Sequence, residues 1–497
     1  MKQSAGIKNI LPAALIVALV LLPVLSLGAS YQQVTGLIDL RSTFSDGACD
    51  IETLVQMAHD RGIDALIIND HDRMVMEYGI PPFRNIFKKR VERNSINRRG
   101  AANYLSTIRK ISKAYPRMII IPGSESAPFY YWTGSFFQKD LTAHDHEKRI
   151  LTIGMDNPED YEDLPLLHNG PTTHHLDTVL PGLILLVLAL AGSLILMRWK
   201  GIYRISGIIV FILSVACIVN CNPFRSSPFD QYHGNQGITP YQLLIDYVQS
   251  KGGMTFWNYP ETRSGTRKLG PIRVHTPPYP EVLVESQGYT GFAALYGDTI
   301  TVTEPGNVWD QVLIDYCRGE RETPVWGIAT ADFHDERGSC EKLGNFRTVF
   351  LLQQRTRSDV LTALRQGNMY ACHTDFRNPV RLDEFSVSSS DGNQRGIAGN
   401  TILLTGQPSI RIALSVASPS QKSVQVRLIR SGHVIKTVTG TLPLHIDYRD
   451  NYFRPGETIY YRMDMRGSGT IVTNPIFVEC ARGKTGQSRH TEPAAEK

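Results

Sequence analysis

The feature that most limits what this chain can become is an uncharged apolar run over residues 179–197, followed after Arg198-Trp199-Lys200-Gly201-Ile202-Tyr203-Arg204 by a second apolar run over 205–219. The first run is close to the ~20 residues that span the hydrocarbon of a bilayer, so the pair predicts a transmembrane hairpin with a basic tip. Basic residues in short loops mark the cytoplasmic face, which places the tip inside and the flanking chain on the extracytoplasmic, periplasmic side. A hairpin returns the chain to the side it left. Residues 30–177 and 222–378 are then free to build one unit around an inserted hairpin at 178–221.

A third apolar run, 10–27, follows Lys2 and Lys8 and precedes the small residues Ser26, Gly28, Ala29 and Ser30, which predicts a signal peptide or membrane anchor over 1–29. At 497 residues the chain is long enough for two or three folded units. Lys+Arg 52 against Asp+Glu 47 leaves a net charge of +5, too mild to indicate a nucleic-acid polymer as partner. The 7 cysteines contain no CxxC pair and give neither a zinc signature nor a disulfide framework.

Outside the apolar runs, short apolar strands repeatedly stop at ionisable residues. "LIDLRSTFSDG" ends a strand at Asp39 and Arg41 and turns at Asp46-Gly47; "ALIINDHD" ends at Asp70 and His71; "MIIIPGSE" ends at Glu125; and 325–329 runs into Thr330-Ala331-Asp332-Phe333-His334. Helices alternate with these strands: Asp50 is placed to cap one whose Ile51, Leu54, Val55 and Ala58 share a face, stopping at Gly62. Strand ends loaded with such residues are the pattern of an α/β barrel with its site at the C-terminal rim. From about Arg381 the texture changes to period-two strands between Gly, Ser and Pro turns, predicting a β-sandwich over 379–482, with a disordered tail over 483–497.

Asp39, Asp46, His71, Glu125, Asp332 and His334 are oxygen and imidazole donors, a mixture that suits zinc, manganese or iron. The ordered motifs "STFSDG", "INDHD", "IPGSE", "GGMTFWNYP" and "TADFH" resemble the polymerase and histidinol phosphatase (PHP) family over residues 37–374. That resemblance implies a distorted barrel whose rim binds divalent metal and hydrolyses phosphate esters with metal-activated water. Carried onto this sequence, Asp46, His71 and His334 match one metal position, while Glu125 and Asp332 match ligands of others.

The chain departs from the family where a leading His-x-His appears as Asp39-x-Arg41, where Tyr259 replaces a His, and where Arg149 stands for another. Asp39 keeps an oxygen donor, whereas Arg41 is always charged and cannot bind metal. The expected cofactor is therefore one or two metal ions rather than three. Arg41 would neutralise Glu125 and Asp332 or grip a phosphoryl group, and Asp70 or Asp332 would accept a proton from water. His144 or His146 would be the residues to compensate for a lost ligand, although their spacing does not match the family's.

Between residues 84 and 117 the chain is basic, with Lys88, Lys89 and Arg90 foremost, which suits anionic headgroups at the bilayer. "PFYYWTGSFF", 128–137, brings Tyr130, Tyr131 and Trp132 close behind Glu125, as core packing or as platforms for a sugar or base. Two functions follow. One is a membrane-anchored phosphoesterase acting on a phosphorylated small molecule or an envelope glycan or lipid. The other is a barrel that lost catalysis with its histidines and serves as an envelope binding or scaffold protein.

Overall fold

A computed structural model describes residues 31–481 apart from 263–264, 299, 338–341, 390–393 and 418–421; the predicted signal or anchor segment and the predicted disordered tail lie outside the described residues. The chain opens with strand β1 (Gln32–Leu40), helix α1 (Ile51–Asp60), β2 (Ala65–His71), β3 (Val75–Gly79) and β4 (Lys88–Glu92). Helix α2 (Ala101–Ala114), β5 (Ile119–Ser126), β6 (Tyr131–Thr133), β7 (Thr142–His144) and β8 (Arg149–Ile153) follow, then helices α3 (Leu176–Leu196) and α4 (Ile202–Cys221). Beyond them lie β9 (Met254–Asn258), β10 (Gly265–Leu269), β11 (Ile272–Thr276), β12 (Gly291–Leu295), β13 (Trp326–Ala329), β14 (Phe346–Leu352) and β15 (Met369–His373).

Local chemistry explains the elements. Asp50 accepts a hydrogen bond from Thr53 N at 2.8 Å and caps α1, whose buried face is Ile51, Leu54, Val55 and Ala58. Strands β2, β5 and β9 are buried along their whole length, as strands covered on both faces must be. The principal sheet runs β13-β12-β9-β8-β5-β2-β1-β14-β15. It curls until the segment after β13 returns to β1: Ala331 N donates to Ile38 O at 3.0 Å and Arg41 N to Phe333 O at 2.9 Å. The result is a mixed α/β fold with a curled sheet, consistent with the distorted barrel that the motifs imply.

Strands β1, β2 and β5 pair in parallel, as do β9, β12 and β13, so their C-terminal ends share one rim. Strand β8 runs antiparallel to both β5 and β9, with Arg149 opposite Asn258. Its first residue, not its last, therefore reaches that rim. Strands β8 and β9 are sheet neighbours although α3 and α4 separate them in sequence, so chain from both sides of the helix pair builds one sheet.

Helices α3 and α4 are long and apolar enough to cross a membrane, with mean hydropathy 2.7 over Val179–Leu196 and 2.4 over Ile202–Cys221. Their apolar side chains, among them Leu185, Leu188, Ile195 and Ile212, are exposed rather than packed into a core. Asn85, between β3 and β4, donates from its backbone to Asn220 Oδ1 at 2.9 Å and from Nδ2 to Asn220 O at 2.6 Å. The β3–β4 ribbon is thereby fastened to the end of α4 away from the basic link.

Where the sequence predicts a β-sandwich, the principal sheet continues without a break, from β15 through Thr470–Thr473 and Thr458–Gly467 to Ser423–Arg430 and His433–Thr441. A second sheet of four strands contributes Leu382, Phe385, Ile410 and Ile412 to an apolar core shared with Val424, Val426, Met463 and Met465. A fully buried ion pair locks this region to the barrel. Arg462 reaches both oxygens of Asp310 at 2.7 Å, and Tyr460 donates to Asp310 Oδ1 at 2.7 Å. Asp310→Ala strands that guanidinium in the interior, and a loss of about 3–5 kcal/mol is expected in denaturant unfolding; a loss below ~1 kcal/mol would show that the pair does not hold the two parts together.

Candidate active site

Three strand ends deliver the acids. Asp39 closes β1 with a positive φ of 71°, Glu125 lies in β5, and Asp332 follows β13 with φ 42°. Tyr259, just after β9, has φ 48°. Left-handed backbone at three non-glycine residues around one rim is strain that the surrounding sheet must hold in place.

Arg41 fills the space between the acids. Its guanidinium is 1% exposed and lies 2.6 Å from Asp39 Oδ1, 2.8 Å from Glu125 Oε2 and 3.7 Å from Asp332 Oδ1. It also donates to Asn69 O. A second guanidinium enters from β8: Arg149 Nη1 lies 2.6 Å from the same Glu125 oxygen and 2.7 Å from His71 Nδ1. Asn258 Nδ2 bridges Asp39 Oδ2 at 3.0 Å and Glu125 Oε1 at 2.7 Å, and Tyr259 donates its hydroxyl to Asp39. Every Glu125 oxygen is thus engaged. Burial raises Glu125, but Arg41 and Arg149 outweigh it and hold the carboxyl well below the ordinary carboxylate range. At Asp39 burial wins over the pull of Arg41 and lifts the carboxyl to about 7.

Outside this cluster, the Ser42–Gly47 turn presents Asp46. A Cβ on Gly47 would come within 2.3 Å of Arg41 O, so only glycine allows the chain to fold back this tightly. Asp70, expected to accept a proton from water, instead holds the turn: its carboxylate takes hydrogen bonds from Ser42 N at 2.8 Å, Ser42 Oγ at 2.6 Å, Ser45 N at 3.1 Å and Ser45 Oγ at 2.5 Å. With four donors upon it, Asp70 is a positioning residue.

Asp46 lies between two imidazoles, with His71 Nε2 at 3.4 Å from Oδ2 and His334 Nε2 at 3.5 Å from Oδ1. His334 Nδ1 contacts Asp332 O at 2.8 Å and stands 3.6 Å from Asp332 Oδ1. Burial lowers His334, but Asp46 and Asp332 more than compensate and raise it to about 9. Burial raises Asp46, and hydrogen bonds from His334 and His71 reverse this, holding it far below the usual range.

A metal held by these residues needs three or four donors converging at about 2.0–2.2 Å. Among the described residues, no three His, Cys, Asp or Glu side chains do so. At Asp39, Glu125 and Asp332 the reason is chemical, because guanidinium groups stand against the oxygens, and a second or third metal does not fit. Asp46, His71 and His334 differ. Their donor set is right, with His71 Nε2 3.4 Å from one Asp46 oxygen and His334 Nε2 3.5 Å from the other. A metal there would take the place of the imidazole protons that Asp46 now faces.

No family model and no curated protein matches the chain. Among solved structures it is similar to a two-domain protein from Bacteroides vulgatus containing a predicted PHP-like metal-dependent phosphoesterase, at 12% identity and TM-score 0.35, over 89% of this chain and 96% of that one. It is also similar to a proposed metal-dependent phosphoesterase from Bifidobacterium adolescentis, at 14% identity and TM-score 0.28, over 62% of this chain and 90% of that one. Likenesses this distant assign neither a family nor a reaction, and the chemistry rests on this chain's own side chains.

Sequence reasoning left Arg149 and Asn258 without a role, although both stand at strand ends. The missing signal was the antiparallel direction of β8, which turns its N-terminal residue toward the site. His144 faces elsewhere, stacking on Tyr131 with 4.8 Å between ring centroids. His146 is lowered to about 3, first by burial and then by Arg149, and remains neutral.

The raised His334 fixes a pH dependence. Its stabilising contribution to the metal-free protein is complete below about 6.5 and lost as pH climbs through about 9. Thermal melts taken in chelator should fall across that window, and His334→Gln should flatten the profile. A wild-type profile with no such decline would show that His334 is not paired with Asp46.

Proposed function

We propose that this chain is a membrane-anchored PHP-type phosphoesterase working with one metal ion, zinc, manganese or iron, held by Asp46, His71 and His334. One observation carries the reading. Two imidazoles face the Asp46 carboxylate, one at each oxygen, while Asp39 and Glu125 are paired with the chain's own arginines. A bound metal would supply Lewis acidity and lower the pKa of its water.

The protein's part is charge placement. Arg149, with its side chain 18% exposed, is the guanidinium able to swing onto a phosphoryl group and bind it bidentately; Arg41 is too deeply paired and serves as the fixed counter-charge. Asp332, 52% exposed beside His334, is placed to take a proton from attacking water or return one to the leaving oxygen. Asn258 keeps Asp39 and Glu125 at a fixed separation while this happens.

Membrane anchoring by α3 and α4 puts the basic link, Arg198, Lys200 and Arg204, in the cytoplasm and the barrel outside. The Asn85–Asn220 hydrogen bonds then set the β3–β4 ribbon at the bilayer surface, with exposed Ile80, Ile86 and Phe87 toward acyl chains and Lys89 toward phosphates. A phosphorylated small molecule or the phosphate of an envelope glycan or lipid is the substrate class that such a site meets.

The second reading is a binding or scaffold barrel retired from catalysis, favoured by the two guanidinium groups among the acids. Elemental mass spectrometry of the detergent-solubilised protein separates the two. The enzyme reading expects near-stoichiometric metal that disappears in the His71→Ala, His334→Ala double variant, with hydrolysis of p-nitrophenyl phosphate falling at least ~100-fold. No metal after reconstitution supports the retired barrel. For topology, trypsin added to right-side-out vesicles should cut the barrel and spare the Arg198–Arg204 link; cleavage confined to the link would invert the orientation.

A further inference from the structure

A cavity lies against the Asp145–Lys148 turn that leads into β8. It encloses about 230 Å³, below the ~300–1,000 Å³ of clefts that take drug-sized ligands, which is room for a single ring. Its floor is a row across three strands of the small sheet. Tyr131 on β6 faces His144 on β7, and His144 faces His275 on β11. Tyr131 and His144 stack within 11° of parallel, and His275 meets His144 edge-on at 5.5 Å. Hydroxyls fix both imidazoles, Thr133 at 2.7 Å from His144 Nε2 and Thr266 at 2.8 Å from His275 Nδ1. The row is a rigid platform of rings packed on one another, Tyr131 and His144 each covering a face of the other.

Asp145 decides what the platform receives. It is 9% exposed, lines the cavity, and is held at φ 60° by the bond from its N–H to His275 O at 2.9 Å. Among the described residues no hydrogen bond or ion pair reaches its carboxylate. Burial raises its pKa, and Lys148 is the strongest influence opposing the shift, although its ammonium stands beyond ion-pair distance. That ammonium lies over the rings of Tyr241 and Tyr279, 5.1 and 5.5 Å from their centroids. The carboxylate oxygens are not sealed from solvent and are open to a ligand entering the cavity. A group that donates to Asp145 and accepts from Lys148 at the same time would fill the gap between them, and a hydroxyl does both.

We infer that this cavity binds a sugar ring, packed against the Tyr131–His144 stack with its hydroxyls bridging Asp145 and Lys148, and with Glu281 in the lining. Asp145 and Glu281 against the single Lys148 leave the cavity's charged groups net negative, which disfavours a phosphate or other anion. The site is separate from the Asp46–His71–His334 cluster and does not rest on the phosphoesterase reading.

Saturation-transfer NMR on the full-length protein, in a detergent without a sugar headgroup, tests this. The probes are methyl glucoside, methyl galactoside, N-acetylglucosamine, lactose and chitobiose, with adenosine as the competing flat ring. At least one sugar should saturate with Kd near or below about 1 mM. Tyr131→Ala and Asp145→Asn should each weaken it at least ~10-fold, while Tyr131→Phe, which keeps the ring, stays within ~3-fold. Asparagine tolerates the left-handed backbone at position 145, so that variant is expected to fold. Asp46→Ala and His334→Ala should leave sugar binding unchanged whatever they do to metal or hydrolysis. Failure of every sugar to saturate, saturation that survives both Tyr131→Ala and Asp145→Asn, or binding of adenosine in place of sugars would overturn the assignment.

Discussion

The buried guanidinium of Arg41 is the interaction on which the barrel mouth depends. Strand ends from β1, β5 and β13 bring Asp39, Glu125 and Asp332 together, and the buried Asp39 and Glu125, beside the half-exposed Asp332, repel one another unless a cation stands between them. Arg41 supplies that cation from the same strand as Asp39, and its backbone N–H ties the segment after β13 back to β1. One residue neutralises the rim while its peptide closes the curl. Arg149 completes the compensation from the opposite strand direction.

This arrangement divides the rim in two. In the inner part each acid faces a guanidinium, an amide or a phenol, although Asp39 Oδ1, Arg41 Nε and Asn258 Oδ1 make no hydrogen bond of their own. The outer part sets Asp46 between two imidazoles, His71 and His334. The difference is one of partner type: a guanidinium keeps its charge at any pH a protein meets, whereas an imidazole takes up and releases a proton near neutrality.

The scaffold around the rim enforces these positions from a distance. Asp70 spends its carboxylate on the Ser42–Gly47 turn and so aims Asp46, and Asn258 spans two acids that would otherwise drift apart. In the Asp145–Lys148 turn that leads into β8, Asp145 retains a carboxylate with no such partner.

Much was legible in the residues alone. Apolar runs of bilayer length announced α3 and α4, the Asp50 cap and its i, i+3, i+4 pattern located α1, and acids and imidazoles at strand ends named most of the rim, because these signals depend on short-range spacing. The sequence also showed Arg41 standing where a ligand was expected. Only the tertiary structure could decide which side of the rim each residue reached, since that depends on strand direction: β8 runs antiparallel, so Arg149 joins the site from a strand's beginning. It likewise decided that Asp70 faces a turn rather than water, and that the C-terminal strands extend the barrel's sheet. Those outcomes are set by pairing between residues distant in sequence, Asp70 with Ser42, Arg149 with Asn258 and His373 with Thr470, on which local propensity has no bearing.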